Sequence, residues 1–390
     1  MKQFVTVAAV LGALTLAPWA AHAQSTVTDI VSFLVTNQTI PTEDAGSDRA
    51  AADAARETIT RALIVNLTSA PIATSSSGFL YRLNPELGTV ERATESFGAF
   101  FVERAFSPGN GRASFGVSAS TTSFDKLDNQ PLRDGTLVTT GSRFPDEAAP
   151  FETESLTLRV TSSTMTAYAS VGITDRFEIG GALPFARLSI EGQRVSVYRG
   201  ETFLQASGSA TASGVADAAV RAKYTFVNAR DGGAAILAEV RLPTGDEENL
   251  LGSGSAGFRL IGIGALERGP LMLSGNAGLV RGGISDELNL GAAAAYAVHP
   301  RLSLTAEFLS RTIDELRPLL LTSQPHPTRL GVQTIRLTGG EPGETVASGV
   351  AGFKWNPSGT LVFGANVRWN FTTAGLTAPL TPSLALEYDF

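Results

Sequence analysis

The segment Ala216-Asp217-Ala218-Ala219-Val220-Arg221-Ala222-Lys223-Tyr224-Thr225-Phe226 alternates in chemistry with a period of two. Ala216, Ala218, Val220, Ala222, Tyr224 and Phe226 fall on one face. Asp217, Ala219, Arg221, Lys223 and Thr225 fall on the other. Side chains of a strand point alternately to its two sides, so this stretch specifies a strand with one apolar and one polar face. The pattern recurs. Ile236, Ala238, Val240 and Leu242 oppose Leu237, Glu239 and Arg241; Leu302, Leu304, Ala306 and Phe308 oppose Arg301, Ser303, Thr305 and Glu307. Near the end of the chain, Leu361, Phe363, Ala365, Val367, Trp369 and Phe371 oppose Val362, Gly364, Asn366, Arg368 and Asn370.

A soluble sandwich also alternates, so the period alone does not choose between a sandwich and a membrane barrel. Three further features choose the barrel. The alternating segments run to about 10–12 residues, the length of a tilted bilayer-crossing strand, whereas sandwich strands average about five or six. Short turns at 107–111, 174–175, 228–232, 267–269, 299–300 and 356–359 alternate with mostly longer connections at 123–153, 191–214, 243–254 and 312–345. Short turns at one end and long loops at the other is the outer-membrane arrangement. Finally, Leu384, Leu386, Tyr388 and Phe390 share a face. An aromatic last residue with another two before it is similar to the sorting signal of outer-membrane barrels, which implies Tyr388 and Phe390 as its key positions and the barrel assembly machinery as a partner.

The N-terminus is read as an exported leader. Lys2 precedes a nearly uncharged apolar stretch, and Ala21-His22-Ala23 places small residues where a signal peptidase cuts, which predicts a signal peptide over 1–23. The apolar stretch is shorter than the ~20 residues a spanning helix needs. Losing Lys2 leaves 29 basic and 37 acidic residues, a net charge of −8 that argues against nucleic-acid binding. There is no cysteine, hence neither a disulfide nor thiolate chemistry.

The predicted fold is therefore all-β: a transmembrane antiparallel β-barrel in the outer membrane of a Gram-negative bacterium, surrounded by outer-membrane lipid and lipopolysaccharide. Strands are predicted at 112–122, 154–173, 176–190, 215–227, 233–243, 255–266, 270–281, 287–298, 301–312, 346–355, 360–371 and 380–390. That makes twelve, an even number, as bacterial single-chain barrels have. Counting 97–106 and part of 78–94 as wall would make fourteen. The barrel domain is taken as 96–390 and the preceding domain as 24–95. In the latter, 48–63 is Ala-rich with interleaved charges and predicts a helix, and 78–94 predicts a hairpin about Asn84-Pro85-Glu86-Leu87-Gly88. This segment either fills the lumen as a plug or extends into the periplasm; the width of a twelve-strand lumen favours the plug.

Several motifs resemble a known family. Ser77-Gly78-Phe79, Asn84-Pro85-Glu86-Leu87-Gly88-Thr89, Glu95-Ser96-Phe97-Gly98, Glu103-Arg104 and Ser123-Phe124-Asp125-Lys126-Leu127 carry the likeness, and Arg241-Leu242-Pro243-Thr244-Gly245-Asp246 with Gly252-Ser253-Gly254 is its most specific part. They are similar to the outer-membrane barrel family named after the meta-pathway of phenol degradation, whose members are mostly labelled transporters. The resemblance implies a barrel that passes small hydrophobic or aromatic compounds, and it brings no catalytic residues and no cofactor.

Site candidates follow from strand polarity. With the apolar face in lipid, Asp217, Arg221, Lys223, Glu239, Arg241, Arg259, Glu307, Arg368 and Glu387 point into the lumen. There they either shape passage or pair across the interior. Catalysis is not expected: of the two histidines past the leader, His299 falls in a turn and His326 in the longest loop, neither on a strand face beside a serine. Asp246-Glu247-Glu248-Asn249 is oxygen-rich but matches no calcium-loop spacing, so no metal is assigned. The functional expectation is an outer-membrane channel or transporter for a small-molecule solute. The alternatives are a structural or surface-interaction barrel and, more remotely, an outer-membrane lipid hydrolase dependent on histidine.

Overall fold

The computed structural model describes residues 25–39, 45–68, 81–84, 89–92, 96–229, 231–326 and 328–390. The expected leader, 1–23, lies outside them. Two helices come first, α1 (Val27–Thr36) and α2 (Ala45–Thr68), followed by a separate short hairpin pairing Tyr81–Asn84 with Thr89–Arg92. The strands that build the main sheet are β1 (Ala113–Phe124), β2 (Leu137–Arg143), β3 (Glu152–Gly172), β4 (Phe177–Tyr198), β5 (Glu201–Val215), β6 (Ala218–Ala229), β7 (Gly232–Leu242), β8 (Gly257–Arg268), β9 (Leu271–Gly282), β10 (Glu287–His299), β11 (Leu302–Ile313), β12 (Leu319–Pro325), β13 (Gln333–Gly339), β14 (Glu344–Trp355), β15 (Leu361–Asn370) and β16 (Thr381–Asp389).

Twelve of these close into a barrel. Around the ring run β1, β3, β4, β6, β7, β8, β9, β10, β11, β14, β15 and β16, and β16 returns to β1 through Ser383↔Ser120, Leu386↔Val117 and Asp389↔Ser114. All pairings are antiparallel, and closure leaves no unpaired edge in the ring. The outward face is an apolar band. Val220, Tyr224, Ile236, Phe258, Leu304 and Leu386 are exposed there, flanked by aromatics such as Trp355, Tyr388 and Phe390. An exposed apolar belt on a closed sheet is the surface a bilayer covers.

The twelve predicted wall strands appear to within about three residues, except that β4 runs on to Tyr198. Other expectations are corrected. The wall begins at Ala113, not at residue 96, because 96–106 runs inside the barrel and takes part in no strand. The count is twelve, as expected; the fourteen-strand alternative fails because 96–106 takes part in no strand and Tyr81–Asn84 pairs with Thr89–Arg92 in a sheet of its own. The connections 123–153, 191–214 and 312–345 are not plain loops; they carry β2, the upper part of β4, β5, β12 and β13.

Those extra strands form an apron at the long-loop end. β3 has 21 residues and β4 has 22. At about 3.3 Å per residue and a tilt of about 45°, such strands rise about 50 Å, beyond an apolar core of about 30 Å. Past the apolar band the faces exchange chemistry. Outward positions on β4 change from Ile179, Leu183 and Phe185 to Arg187, Glu191 and Gln193, while inward positions on β3 change from Thr166, Thr164 and Ser162 to Val160, Leu158 and Leu156. The apron is thus wet outside and greasy inside, the reverse of the wall below it.

The helices pack on that greasy inner face. A capping box starts α1: the Asp29 N–H donates to Thr26 Oγ1 (3.1 Å) and the Thr26 N–H donates to Asp29 Oδ2 (3.0 Å). Val27, Val31, Leu34 and Val35 make its apolar stripe and pack with Ile59 and Leu63 of α2 against Leu156, Leu158, Leu188 and Ile190. Each such buried side chain contributes roughly 1.5–3 kcal/mol. A buried ion pair, Arg194–Glu154 at 2.5 Å, ties β4 to β3, and Thr140 of β2 donates to the same carboxylate at 2.9 Å.

The cysteine-free sequence makes the face assignment testable. Single cysteines at Val240, Leu260 and Leu386 should react with membrane-soluble maleimides and be shielded from charged ones in proteoliposomes, whereas cysteines at Ser120 and Asn366 should show the opposite preference. Leu386→Lys should destabilise the barrel by about 2–4 kcal/mol, measured by urea unfolding in liposomes. Equal labelling of both sets would contradict the closed wall.

Candidate functional site

The lumen is built from alternate positions on every wall strand, and all nine predicted lumen residues lie on the inward face. Asp217 immediately precedes β6, and Arg221 and Lys223 lie on that strand; Glu239 and Arg241 are on β7, Arg259 on β8, Glu307 on β11, Arg368 on β15 and Glu387 on β16. They divide into two groups.

The first group holds a plug. Residues 96–106, Ser96-Phe97-Gly98-Ala99-Phe100-Phe101-Val102-Glu103-Arg104-Ala105-Phe106, lie inside the barrel in its short-turn half and are almost entirely buried. The Glu307 carboxylate accepts three successive backbone N–H groups, from Phe100 (2.5 Å), Phe101 (2.9 Å) and Val102 (3.0 Å). On the neighbouring strand Lys354 donates to the Ala99 carbonyl at 2.7 Å, with its ammonium 4.5 Å from the centre of the Phe100 ring. Across the lumen Arg221 pairs with Glu103 at 2.9 Å, Thr225 donates to the Ala105 carbonyl at 2.7 Å, and Lys223, itself paired with Glu178 at 2.8 Å, lies 3.5 Å from the Arg104 carbonyl. Ser303 accepts the Phe97 N–H at 3.0 Å. The plug's Arg104 sits in the field of Glu387, Asp389, Glu178 and Glu267.

Inward-facing glycines make the room. A Cβ at Gly352 or Gly364 would lie 2.8 or 2.7 Å from the Phe100 ring, and one at Gly233 would lie 2.9 Å from Phe106. These wall positions are sockets for the plug's aromatic side chains.

The second group lines the space between plug and helices. The smaller of two chambers has about 1240 Å³ of empty space, open solvent included, and is lined by Arg221, Glu239, Arg241, Arg259 and Glu287 among others. The larger, about 1670 Å³ on the same measure, is lined by Arg241, Arg311, Arg368, Asn366, Asn370 and a series of serines and threonines. Phe101 and Leu309 border both. Arg311 pairs with Glu287 at 2.6 Å, and Glu239 sits 3.6 Å from Arg241 and 3.8 Å from Arg259. Arg241 also donates to the Thr68 carbonyl at 3.3 Å, a wall cation at the last turn of α2.

Asp217 serves the long loop 243–254. Its carboxylate accepts the N–H of Gly245 (3.0 Å) and of Ser253 (2.8 Å) and the Ser253 hydroxyl (2.6 Å). Gly245 and Gly252 touch backbone to backbone, with no space for a Cβ on either. The same loop presents Asn249 Oδ1 to the Val27 N–H (3.1 Å) and the Glu248 carbonyl to the Thr28 N–H (3.1 Å), so the acidic cluster 246–249 docks the start of α1. On the opposite rim, burial raises the Asp128 carboxyl above the usual aspartate range, against the lowering effect of N–H donors from Gly375 and Leu319.

The histidines have local roles. His299 Nδ1 accepts the Arg301 N–H at 3.2 Å in its turn, and His326 Nδ1 accepts from Arg329 at 3.0 Å. Among the described residues no group of three or more His, Cys, Asp or Glu is placed to hold a metal.

Four participants escaped the sequence reading: Glu178, Glu287, Arg311 and Lys354. Strand parity alone would have found Arg311, which shares a face with Glu307. The plug itself, 96–106, carries no alternation and no cap, and its cluster of phenylalanines was the one signal available.

No family model and no curated protein matches the sequence. Solved structures do resemble the chain in architecture. An outer membrane channel from Pseudomonas putida F1 superposes with a TM-score of 0.44 at 14% identity, over 72% of this chain and 96% of that one. Salmonella typhi OmpF, in complex with daunomycin, gives a TM-score of 0.30 at 8% identity, over 72% and 98%. Pseudomonas putida OprB gives 0.27 at 10%, over 72% and 93%.

Glu307→Leu strips an acceptor from two buried N–H groups, each costing about 1–3 kcal/mol when left unmade, and from the partly buried one of Phe101. The variant should expose 96–106, so that trypsin cuts after Arg104 at concentrations the parent resists. Gel mobility before and after heating checks that the wall still folds. Unchanged resistance would mean that the plug is held by other contacts.

Proposed function

We propose that this protein is an outer-membrane channel for small molecules, held closed at rest by its own residues 96–106. One observation carries the reading: the plug is bound along its length by charged and polar contacts, with chambers above it, and its apolar cluster with the wall is local, Ala105 and Phe106 against Ala235, Leu237, Ile261, Ile263 and Ala265. Charged and polar contacts exchange readily for water, and they let a segment leave a lumen without unfolding the wall. The short-turn end, where the plug sits, is then periplasmic, and the apron with its helices faces the outside.

The wall and the plug together supply what a gated conduit requires. Hydroxyl and amide side chains on the inward face give a wetted path, and the interleaved charges set which solutes traverse it. Small aromatic or otherwise hydrophobic compounds are the proposed solutes. Phe101 and Leu309 border both chambers and offer them apolar surface, in keeping with the motif resemblance to barrels of the phenol meta-pathway family. In this reading 24–106 acts as one regulatory unit: α1 and α2 close the outer mouth and 96–106 closes the inner one.

Single-channel recording in planar bilayers tests it. The parent should be silent or open only briefly, the Glu307→Leu, Lys354→Met double variant should open in bursts, and deletion of 24–106 should give a steady open level. Silence from all three, with the wall folded, would remove the channel reading.

A further inference from the structure

We propose that the larger chamber is a binding site for the carboxylate of a small organic anion, with Arg368 as its principal ligand. The inference deepens the channel reading and rests on it for the direction of passage, not for the existence of the site.

The charges of the two chambers do not balance. Five arginines line them, Arg221, Arg241, Arg259, Arg311 and Arg368, against four carboxylates, Glu103, Asp217, Glu239 and Glu287. Every carboxylate is engaged. Glu103 holds Arg221, Glu239 lies between Arg241 and Arg259, Glu287 takes Arg311 through two hydrogen bonds, and Asp217 is saturated by loop donors. Arg368 is the remaining cation, with no ion pair among the described residues. The larger chamber, taken by itself, has three arginines and one aspartate.

The surroundings of Arg368 fit an oxyanion. Its cross-strand neighbours are Val350 and Thr381, so no side chain of opposite charge stands opposite it. Arg311, itself paired with Glu287, lines the same chamber. Along its own strand face lies Asn370, which pairs in register with Ser348. A guanidinium that faces a chamber and has no carboxylate partner binds a carboxylate through paired charge-assisted hydrogen bonds. Phe101 and Leu309 on the same chamber give the apolar body of such an anion a surface to lie against. The geometry therefore selects an amphipathic monoanion over a neutral hydrocarbon and over a bare inorganic ion.

The test uses the full-length protein in detergent, with 4-fluorobenzoate and 4-fluorobenzyl alcohol observed together by fluorine NMR. The acid should bind at least about tenfold more tightly than the alcohol. Arg368→Met should remove that preference, Arg368→Lys should keep part of it, and Asn370→Asp, which sets an internal carboxylate beside Arg368, should abolish it at nearly constant volume. Heat-modifiable gel mobility confirms that each variant is folded. Equal binding of acid and alcohol, undiminished acid binding in Arg368→Met, or displacement of the acid by chloride at equal concentration would overturn the proposal. Acid binding by a protein that stays silent in bilayers after 24–106 is deleted would leave this site standing and remove the channel reading instead.

Discussion

The Glu307 carboxylate and the three backbone N–H groups that converge on it are the contact on which the interior depends. A twelve-strand wall encloses more space than its own inward side chains fill, so something must enter the lumen. Whatever enters brings peptide groups that no ladder satisfies, and a buried carboxylate without donors is equally costly. Phe100, Phe101 and Val102 solve both problems at once with Glu307. Hydrogen bonds to a charged group contribute about 1.5–3 kcal/mol each, more than neutral ones, which makes Glu307 the principal anchor of the plug. Lys354, Arg221 and Thr225 repeat the exchange at other plug positions, and the glycines at 233, 352 and 364 open the sockets into which Phe100 and Phe106 settle.

The same accounting explains the other end of the molecule. Above the apolar band a strand no longer needs an apolar outer face, and its inner face no longer needs to be wet. Leu156, Leu158 and Val160 on β3 and Leu188 and Ile190 on β4 turn the apron into half of a soluble core, which α1 and α2 complete. The loop 243–254 links that core to the wall: Asp217 gathers its two glycine-rich ends while Glu248 and Asn249 receive the first N–H groups of α1. The space between cap and plug is then bounded by groups selected for polarity, and its unmatched charge falls on Arg368.

What the sequence disclosed follows from which physical signal each part carries. Wall strands announce themselves because a bilayer outside and a polar lumen inside enforce a period of two, as in 216–226 and 361–371. The inward direction of Arg221, Glu239 and Arg368 came from that parity with no further assumption. The apron was harder to see. Its strands keep the same phase, but the chemistry of their faces inverts between Ser162 and Val160, and short strands such as β12 and β13 sit among turn residues that read as loop. The plug was invisible to periodicity, because an extended segment surrounded on all sides by wall has no solvent-facing side to alternate with. Its charges matter only through partners more than a hundred residues away, as Glu103 with Arg221 and Phe100 with Glu307. Spacing in one chain holds no record of such pairings.

Hydrogen–deuterium exchange of the intact protein in detergent or nanodiscs, followed at the amides of Phe100, Phe101 and Val102, tests the central claim most directly. If their donors are bonded to Glu307 inside a closed lumen, these three amides exchange on the timescale of the wall strands β11 and β14, and they do so independently of the exposed hairpin turns. Exchange of all three within seconds, as in a free peptide, would contradict the account.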